Sequence, residues 1–315
     1  MSKPRDHGGG LDAAIARYGG DRAGWLDLST GINPVPYPTG DISPNCWQTL
    51  PDIAAQDRLI NAARAFWNIP DTAHIIAAPG ASALIAQLPR LLGTPKSAQI
   101  VGPTYNEWQA AFENAGWAVS AAPTDPAVRI TVHPNNPDGA RAQHDMLADP
   151  GISIIDESFC DTVPEASLMP NFDGENTIFI KSFGKFWGLA GIRLGFAIAP
   201  PALVEKLSDA LGPWPVSGPA LEIGARALLD ENWANQTRLR LEHDTQRLDD
   251  LMKSSGAGPG VGTSLFRLYQ VDDAQAWQDR LARGHVWSRI FPYSKTWLRL
   301  GLPHPDKWGQ LEAAL

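Results

Sequence analysis

Lys185 lies in a short glycine-rich turn between two apolar runs, residues 177–182 and 192–198, which both read as β-strands. A hydroxyl group, Ser182, precedes the lysine by three residues, and Arg193 follows it by eight. An amine held on such a turn can form a Schiff base with an aldehyde. A hydroxyl and a guanidinium can bind a phosphate. Pyridoxal phosphate (PLP) carries both groups, so this spacing predicts a PLP site with Lys185 as the covalent attachment point.

Asp156 comes directly after the apolar run 152–155, which reads as a strand, so we expect its carboxylate to be buried. An unpaired carboxylate is costly to bury. An ion pair with the protonated pyridine nitrogen of PLP would provide a partner and would keep the ring able to accept electrons. The alternatives are a helix N-cap or a structural ion pair.

Two further side chains follow predicted strands. Asn136 lies in the turn 135–139, after the strand 128–132, where an amide could donate to the phenolic oxygen of the cofactor. Such a string is also typical of an ordinary turn. Tyr105 follows the strand 98–101, where its ring could stack on the pyridine. The alternative is a packing or surface tyrosine.

Gly80, Ala81 and Ser82 stand at the start of a predicted helix that covers residues 81–92. Backbone N–H groups at a helix N-terminus bind anions, and the Ser82 hydroxyl would add a donor. These residues therefore predict part of a phosphate site. An ordinary N-cap is the alternative for Ser82.

Arg299 lies in the apolar strand 297–300, and an arginine in such a strand needs an anionic partner. A substrate carboxylate would serve, as would a structural salt bridge. Arg289 could contact a second anionic group, or be a surface arginine. His7 precedes the glycines 8–10 and could reach the substrate, or be a disordered terminal residue.

Strands and helices alternate through the middle of the chain, which predicts an α/β fold with a mostly parallel sheet between helices. Ligand sites then collect at the carboxyl ends of the strands. We expect an N-terminal arm over residues 1–35 that packs with a small domain. A large cofactor-binding domain is expected over 36–212, and a small α+β domain, mostly helical from 221 to 252, over 213–315.

The chain has 315 residues and a net charge of −8, and it contains no basic block, so nucleic acid is not expected as a partner. No apolar run approaches the roughly 18 residues of a membrane span. The first ten residues contain no apolar core, so we expect no secretory signal and a cytoplasmic chain. Cys46 and Cys160 predict neither a disulfide nor a metal site.

Four motifs occur in the order found in the fold-type I PLP enzymes, the aspartate aminotransferase superfamily. They are Asn135–Gly139, Asp156–Glu157, Ser182–Lys185 and Arg193. The chain resembles this superfamily over nearly its whole length. The resemblance implies a seven-stranded sheet, a homodimer, and a phosphate site made of Ala81, Ser82, Ser182 and Arg193. It implies that Arg299 binds the substrate carboxylate.

Within the superfamily, the chain resembles the branch of histidinol-phosphate aminotransferases and threonine-phosphate decarboxylases. Residues 7–10, 28–34 and 156–159 are similar to the decarboxylases of cobalamin synthesis, which implies that His7 and Asn33 contact the substrate. Phe159 stands where the aminotransferases usually carry a tyrosine. Leu50 replaces a tyrosine that, in many relatives, reaches the phosphate of the neighbouring subunit's cofactor.

Three functions are therefore open. The first is decarboxylation of L-threonine O-3-phosphate to (R)-1-amino-2-propanol O-2-phosphate, a step of cobalamin biosynthesis. The second is transamination of histidinol phosphate or another amino acid. The third is a PLP-binding module without catalysis, such as the regulatory domain of a transcription factor. Such proteins carry an added DNA-binding domain, which we do not expect in this acidic chain.

Overall fold

The computed structural model describes residues 6–142, 151–172 and 174–315, and they form two compact units. Of these residues, the smaller unit comprises 6–36, 137–139 and 236–315, and the larger one comprises 37–136, 140–142, 151–172 and 174–235. The predicted boundary at residue 212 differs from this division, because residues 213–235 belong to the larger unit.

The helices and strands of the described residues alternate along the larger unit. The strands are β1 (Leu26–Asp27), β2 (His74–Ala78), β3 (Ser97–Ile100), β4 (Ala118–Ser120), β5 (Val128–Val132), β6 (Ile152–Asp156), β7 (Thr177–Ser182), β8 (Gly195–Ala199), β9 (Gly260–Thr263), β10 (Phe266–Gln270), β11 (Val286–Trp287), β12 (Arg289–Phe291) and β13 (Ser294–Gly301). The helices are α1 (Leu11–Tyr18), α2 (Pro44–Gln48), α3 (Ile53–Phe66), α4 (Ala81–Leu91), α5 (Asn106–Asn114), α6 (Pro201–Leu211), α7 (Gly218–Leu228), α8 (Glu231–Ser254), α9 (Ala274–Arg283) and α10 (Trp308–Ala314).

The larger unit is built on a seven-stranded sheet in the order β2-β8-β7-β6-β5-β3-β4. All neighbouring pairs are parallel except those of β8, which runs antiparallel to both β7 and β2. The prediction of a seven-stranded, mostly parallel sheet is confirmed. The carboxyl ends of β5, β6 and β7 therefore lie at one edge, where ligand sites of such sheets are found.

Apolar runs make the central strands, because both of their faces are covered. β7 is buried at Thr177–Lys181, and β8 is buried along its whole length. Helices α4, α5 and α6 pack on one face through an apolar cluster of the sheet and the helices. The packed helices thus fix the positions of the strands whose carboxyl ends form the ligand-binding edge of the sheet.

Gly195 brings the start of β8 against the start of α4. A Cβ atom at this position would lie 2.3 Å from the Ala81 nitrogen and 2.7 Å from the Gly80 carbonyl carbon. Gly80 itself has a φ of 86°, which favours glycine. The N-terminus of α4 is thus fixed to the hairpin of β7 and β8 by direct backbone contact.

Helix α7 belongs to the larger unit because it packs closely on α3. A Cβ atom at Gly224 would lie 2.9 Å from the Leu59 side chain and 2.6 Å from that of Leu194, so a larger residue would require both leucine side chains to shift. The predicted helical run 221–252 consists of two helices, and α8 starts after Asp230, whose side chain accepts from the Trp233 N–H.

The smaller unit contains a four-stranded antiparallel sheet, in the order β12-β13-β10-β9, and a parallel pair, β1 with β11. β11 and β12 are consecutive in the chain but belong to different sheets. The N-terminal arm contacts this unit, since the Gly9 N–H donates to Ser29 and Trp287 donates to the Gly9 carbonyl. Among the described residues, we find no helix with the length and apolar character needed to cross a membrane.

Candidate active site

The turn that carries Lys185 is anchored by buried aromatic side chains. Phe186 and Trp187 follow the lysine and are both fully buried, and the Trp187 ring stacks on Phe183 with 5.2 Å between centroids. The Gly188 N–H donates to the Lys185 carbonyl and closes the turn. The lysine side chain is thus held on a short loop of the larger unit whose neighbours cannot move without opening the core.

A cleft surrounds this lysine. It lies within the larger unit, and its lining includes eight of the nine residues that were predicted to bind the cofactor: Ala81, Ser82, Tyr105, Asn136, Asp156, Ser182, Lys185 and Arg193. The ninth, Gly80, is the N-cap of α4 and contacts the Arg193 guanidinium. The structure therefore brings the whole predicted set together.

Asp156 ends β6 with its carboxylate buried at the floor of the cleft. Oδ1 accepts from the Ser158 N–H at 3.0 Å and from its hydroxyl, and Oδ2 accepts from Trp108 Nε1 at 2.8 Å. Burial raises the pKa of Asp156 above its ordinary value. The hydrogen bonds from Ser158 and Trp108 and the charge of Lys185 act in the opposite direction. A cation bound in the cleft would further stabilise the carboxylate.

Glu157, the next residue, forms a separate buried ion pair away from the cleft. Its Oε2 lies 2.5 Å from Lys181 Nζ, and its Oε1 accepts from the Leu168 N–H. Burial opposes the charge of Lys181, but the carboxylates of Glu157 and Asp161 outweigh burial and raise the pKa of this lysine. Two adjacent carboxylates thus have different tasks, and only Asp156 lines the cleft.

The N-terminus of α4 and Arg193 form an anion site. The N-cap of α4 is Gly80, and no side chain caps the helix, so Ser82 is not the N-cap. Arg193 has a φ of 54°, in the left-handed region that costs an ordinary residue about 1 kcal/mol or more. That backbone brings a guanidinium beside the positive end of the helix dipole. An anion is the group that this arrangement stabilises.

The Tyr105 side chain lines the same cleft and is half-buried. Burial, with the charges of Glu107 and Asp156, raises the pKa of Tyr105 to about 12. A hydrogen bond with Ser82 and the charge of Arg193 act against this shift. The phenol is therefore neutral near pH 7, and its hydroxyl lies on the side of the anion site.

The turn that carries Asn136 is fixed by its neighbour. Asn135 donates from its side chain to the Pro103 carbonyl, accepts from the Thr104 hydroxyl, and donates from its backbone to the Ala140 carbonyl. These bonds hold the turn after β5, and Asn136 lines the cleft. The first asparagine is thus structural, and the second is placed to contact a ligand.

The predicted substrate-binding residues belong to the smaller unit. Arg299 is 5% exposed, and it donates to the Ser29 carbonyl at 2.6 Å. Burial and the charge of Arg289, its partner across β12 and β13, lower the pKa of Arg299 to about 9, against weaker effects of Tyr293 and Asp27. An anion placed beside Arg299 would be strongly stabilised.

Arg289 binds a carboxylate of the N-terminal arm. Its two terminal nitrogens each lie 2.7 Å from an oxygen of Asp6, and one also donates to the His7 carbonyl. The alternative of a surface arginine is wrong, since the side chain is mostly buried. The His7 side chain is exposed. Asn33 is buried, and its Oδ1 accepts from Arg240 at 2.6 Å and from the Val35 N–H.

Three residues of these sites were missed from the sequence: Trp108 and Ser158 hold Asp156, and Asp6 binds Arg289. Phe159, which the sequence did single out, places its ring 5.6 Å from Lys185 Nζ. No pattern in the sequence singled out Trp108. Its position three residues after Tyr105 places it near the same strand end, but the sequence does not indicate where its N–H points.

The buried residues His133, Glu157 and Cys160 offer ligand atoms within 4.8 Å of one another. Both ring nitrogens of His133 are engaged, one by the Ala142 N–H and the other by the Ala166 carbonyl. Glu157 is paired with Lys181, and burial raises the pKa of the Cys160 thiol, which stays neutral. These contacts fit a packed polar cluster better than a metal site.

The chain belongs to the family of class I and II aminotransferases, whose family model matches residues 43–310. The resemblance to fold-type I PLP enzymes is thereby confirmed.

Along its whole length the chain is 39% identical to a threonine-phosphate decarboxylase of Sinorhizobium sp., with 98% of that protein covered. It is 36% identical to a threonine-phosphate decarboxylase of Pseudomonas aeruginosa, with 98% of this chain and 97% of that protein covered. The fold is shared with the crystal structure of histidinol-phosphate aminotransferase from Sinorhizobium meliloti in complex with pyridoxal-5'-phosphate. The TM-score is 0.83 at 18% identity, over 100% of this chain and 94% of that one.

Replacing Lys181 by methionine should lower the free energy of unfolding by about 3–5 kcal/mol, because Glu157 is then buried without its cation. Urea unfolding measures the loss. Lys206→Met removes an exposed lysine and should cost less than about 0.5 kcal/mol. Since folding raises the pKa of Lys181, its contribution is present below the unfolded pKa of about 10.4 and is lost as pH rises through the folded value. Equal losses in both variants would disprove the buried pair.

Proposed function

We propose that this chain is a PLP-dependent carboxy-lyase. It removes carbon dioxide from L-threonine O-3-phosphate and yields (R)-1-amino-2-propanol O-2-phosphate, in the synthesis of cobalamin. The observation that carries this proposal is the similarity along the entire chain to two threonine-phosphate decarboxylases. The set of side chains in the cleft around Lys185 supports it, because these groups match the cofactor that such a reaction uses.

PLP fits the cleft by the chemistry of the lining residues. The cofactor has an aldehyde for an amine, a phosphate for a cationic anion site, and a basic ring nitrogen for a carboxylate. The larger unit supplies these partners in Lys185, in the start of α4 with Arg193, and in Asp156. When bound, PLP accepts the electrons that remain on the substrate's α-carbon after a bond to that atom breaks.

Each side chain of the cleft then has a task. Lys185 would hold the cofactor covalently, and as a free amine it could carry a proton to the substrate. Asp156 would hold a proton on the ring nitrogen through an ion pair. Asn136 would donate to the phenolic oxygen, and Tyr105 would pack against the ring.

The smaller unit supplies cations for the two acidic groups of the substrate. Arg299, whose charge is destabilised by burial and by Arg289, binds the α-carboxylate. Arg289 and His7 would bind the distal phosphate, and Asn33, whose Oδ1 accepts from Arg240, would contact the substrate. The residues that hold the two anionic groups would orient the substrate and so decide whether carbon dioxide or a proton leaves.

Transamination of histidinol phosphate or another amino acid is the second candidate, favoured by the fold shared with the Sinorhizobium meliloti aminotransferase. At 18% identity that likeness concerns the fold alone. Phe159, in the cleft beside Lys185, lacks the hydroxyl that the resemblance implies for such aminotransferases. The decarboxylase therefore remains the preferred function.

The assembly and location that accompany this function are proposals as well. A homodimer fits the exposed apolar side chains of residues 47–53, since Trp47, Leu50 and Ile53 are each more than 60% exposed. A cytoplasmic location fits a small phosphorylated substrate.

The reaction assay decides between the two chemistries. With threonine phosphate labelled in its carboxyl carbon, the purified holoenzyme should release labelled carbon dioxide and form one equivalent of the amino-propanol phosphate. Product formation is followed by mass spectrometry. With 2-oxoglutarate added, formation of glutamate without carbon dioxide loss would refute the decarboxylase and establish the aminotransferase.

Lys185→Ala should abolish covalent attachment of the cofactor, because no other amine lines the cleft in the part of the chain that the structure describes. Borohydride treatment of the wild-type holoenzyme should add the mass of reduced PLP to the peptide containing Lys185, and the variant should gain none. Turnover should fall by several orders of magnitude. Lys206→Ala serves as the control. Attachment at another lysine of the variant, with full turnover, would contradict the assignment.

Asp6→Asn should lower the KM for threonine phosphate by up to about fivefold, because the substrate phosphate must replace the Asp6 carboxylate on Arg289. The value of kcat should change little. Asp12→Asn removes an exposed carboxylate of the same unit, paired with Arg22, and should leave KM unchanged. A raised KM in Asp6→Asn would mean that Asp6 orients Arg289 for the substrate rather than competing with it.

A further inference from the structure

Trp108 makes a direct contact with the Asp156 carboxylate that no resemblance assigned. Its indole nitrogen lies 2.8 Å from Oδ2, and both side chains are buried within the larger unit. An indole N–H can donate a hydrogen bond but cannot accept one. The other oxygen, Oδ1, accepts from the backbone and hydroxyl of Ser158.

Donors at both oxygens favour the ionised carboxylate. A proton on Oδ2 would face the indole N–H, which has no lone pair to accept it. Burial acts the other way and favours the neutral acid. Two titratable side chains act on this carboxylate. Lys185 is positively charged and stabilises the ionised form, whereas Tyr105 is neutral near pH 7. The hydrogen bond from Trp108 is therefore one of the interactions that favour the ionised form of Asp156.

The indole is itself immobile. Trp108 lies on the first turn of α5, one turn after Tyr105, and its ring contacts Phe112 at 6.5 Å between centroids. Phe112 in turn contacts Trp117 at 5.3 Å, and Trp117 donates from its own indole to the Pro89 carbonyl. This line of three aromatic side chains ties the donor of Asp156 to the body of the sheet and to α4.

We propose that Trp108 is a positioning residue: its N–H keeps the Asp156 carboxylate ionised and fixes the plane in which it meets the ring nitrogen of PLP. This role rests on the proposed function only in that the cleft must bind PLP. It does not depend on which substrate reacts. The competing explanation is that Trp108 contributes packing alone and that its N–H does not affect the carboxylate.

The test compares Trp108→Phe with Trp117→Phe in the full-length apoprotein and holoenzyme. Both variants lose an indole N–H from the same aromatic cluster, but only the first loses the donor to Asp156. PLP affinity, measured by titrating the apoprotein, should fall about tenfold in Trp108→Phe, as expected for a lost bond to a charged group. It should stay within twofold of wild type in Trp117→Phe.

The pH dependence gives a readout that packing would not move. PLP affinity requires ionised Asp156, so it is full above the pKa of that carboxyl and is lost as pH falls through it. Without the Trp108 donor this pKa is higher, so the acidic loss should begin at a higher pH in Trp108→Phe. The absorbance of the bound cofactor, followed against pH, should shift in the same direction.

Benzothienylalanine at position 108 keeps the shape of the indole and removes only the N–H, so it serves where Trp108→Phe does not fold. Weaker PLP binding with the shifted pH profile supports the proposal. Unchanged affinity and an unchanged profile in this variant overturn it, as do equal effects in the Trp108 and Trp117 variants. If the profile shifts but wild type releases no carbon dioxide from threonine phosphate, the role of Trp108 stands and the proposed reaction fails.

Discussion

The larger unit is organised around one buried negative charge, the carboxylate of Asp156 at the end of β6. Burying such a charge is costly unless it is paired and hydrogen-bonded. Ser158 and Trp108 occupy its two oxygens, and Lys185 contributes a positive charge from the neighbouring turn. A protonated ring nitrogen bound in the cleft would form an ion pair with this carboxylate. The need to stabilise one charge thus relates the sheet, helix α5 and the turn after β7.

The two adjacent carboxylates at the end of β6 lie on different sides of the sheet. Asp156 faces the cleft, and Glu157 forms an ion pair with Lys181 away from the cleft. Because each carboxylate has its own cation, Glu157 does not compete for Lys185. The ion pair of Glu157 also fastens the segment after β6, through the Leu168 N–H. A structural pair therefore supports the strand end that carries the Asp156 carboxylate.

Much of the larger unit could be predicted from the sequence, because polar residues directly after apolar strands must meet at one edge of a parallel sheet. Asp156 and Asn136 are of this kind. Trp108 could not, since burial of a tryptophan reveals nothing about where its N–H points. The pairing of Asp6 with Arg289 joins the two ends of the chain, and no local pattern encodes it. The domain boundary at 212 stays a prediction; the packing of α7 on α3, which groups residues 213–235 with the larger unit, is a tertiary contact that no local pattern encodes.

The contact of Gly195 with the start of α4 has a consequence for how such a scaffold could be redesigned. The backbone at the start of α4 and the hairpin that carries Lys185 lie in direct contact there, with no side chain between them that could be shortened or repacked. The cleft therefore cannot be enlarged by substituting a smaller side chain at this contact. Room for a bulkier cofactor analogue has to come from the walls formed by α5 and by the turn after β5, where side chains make the surface.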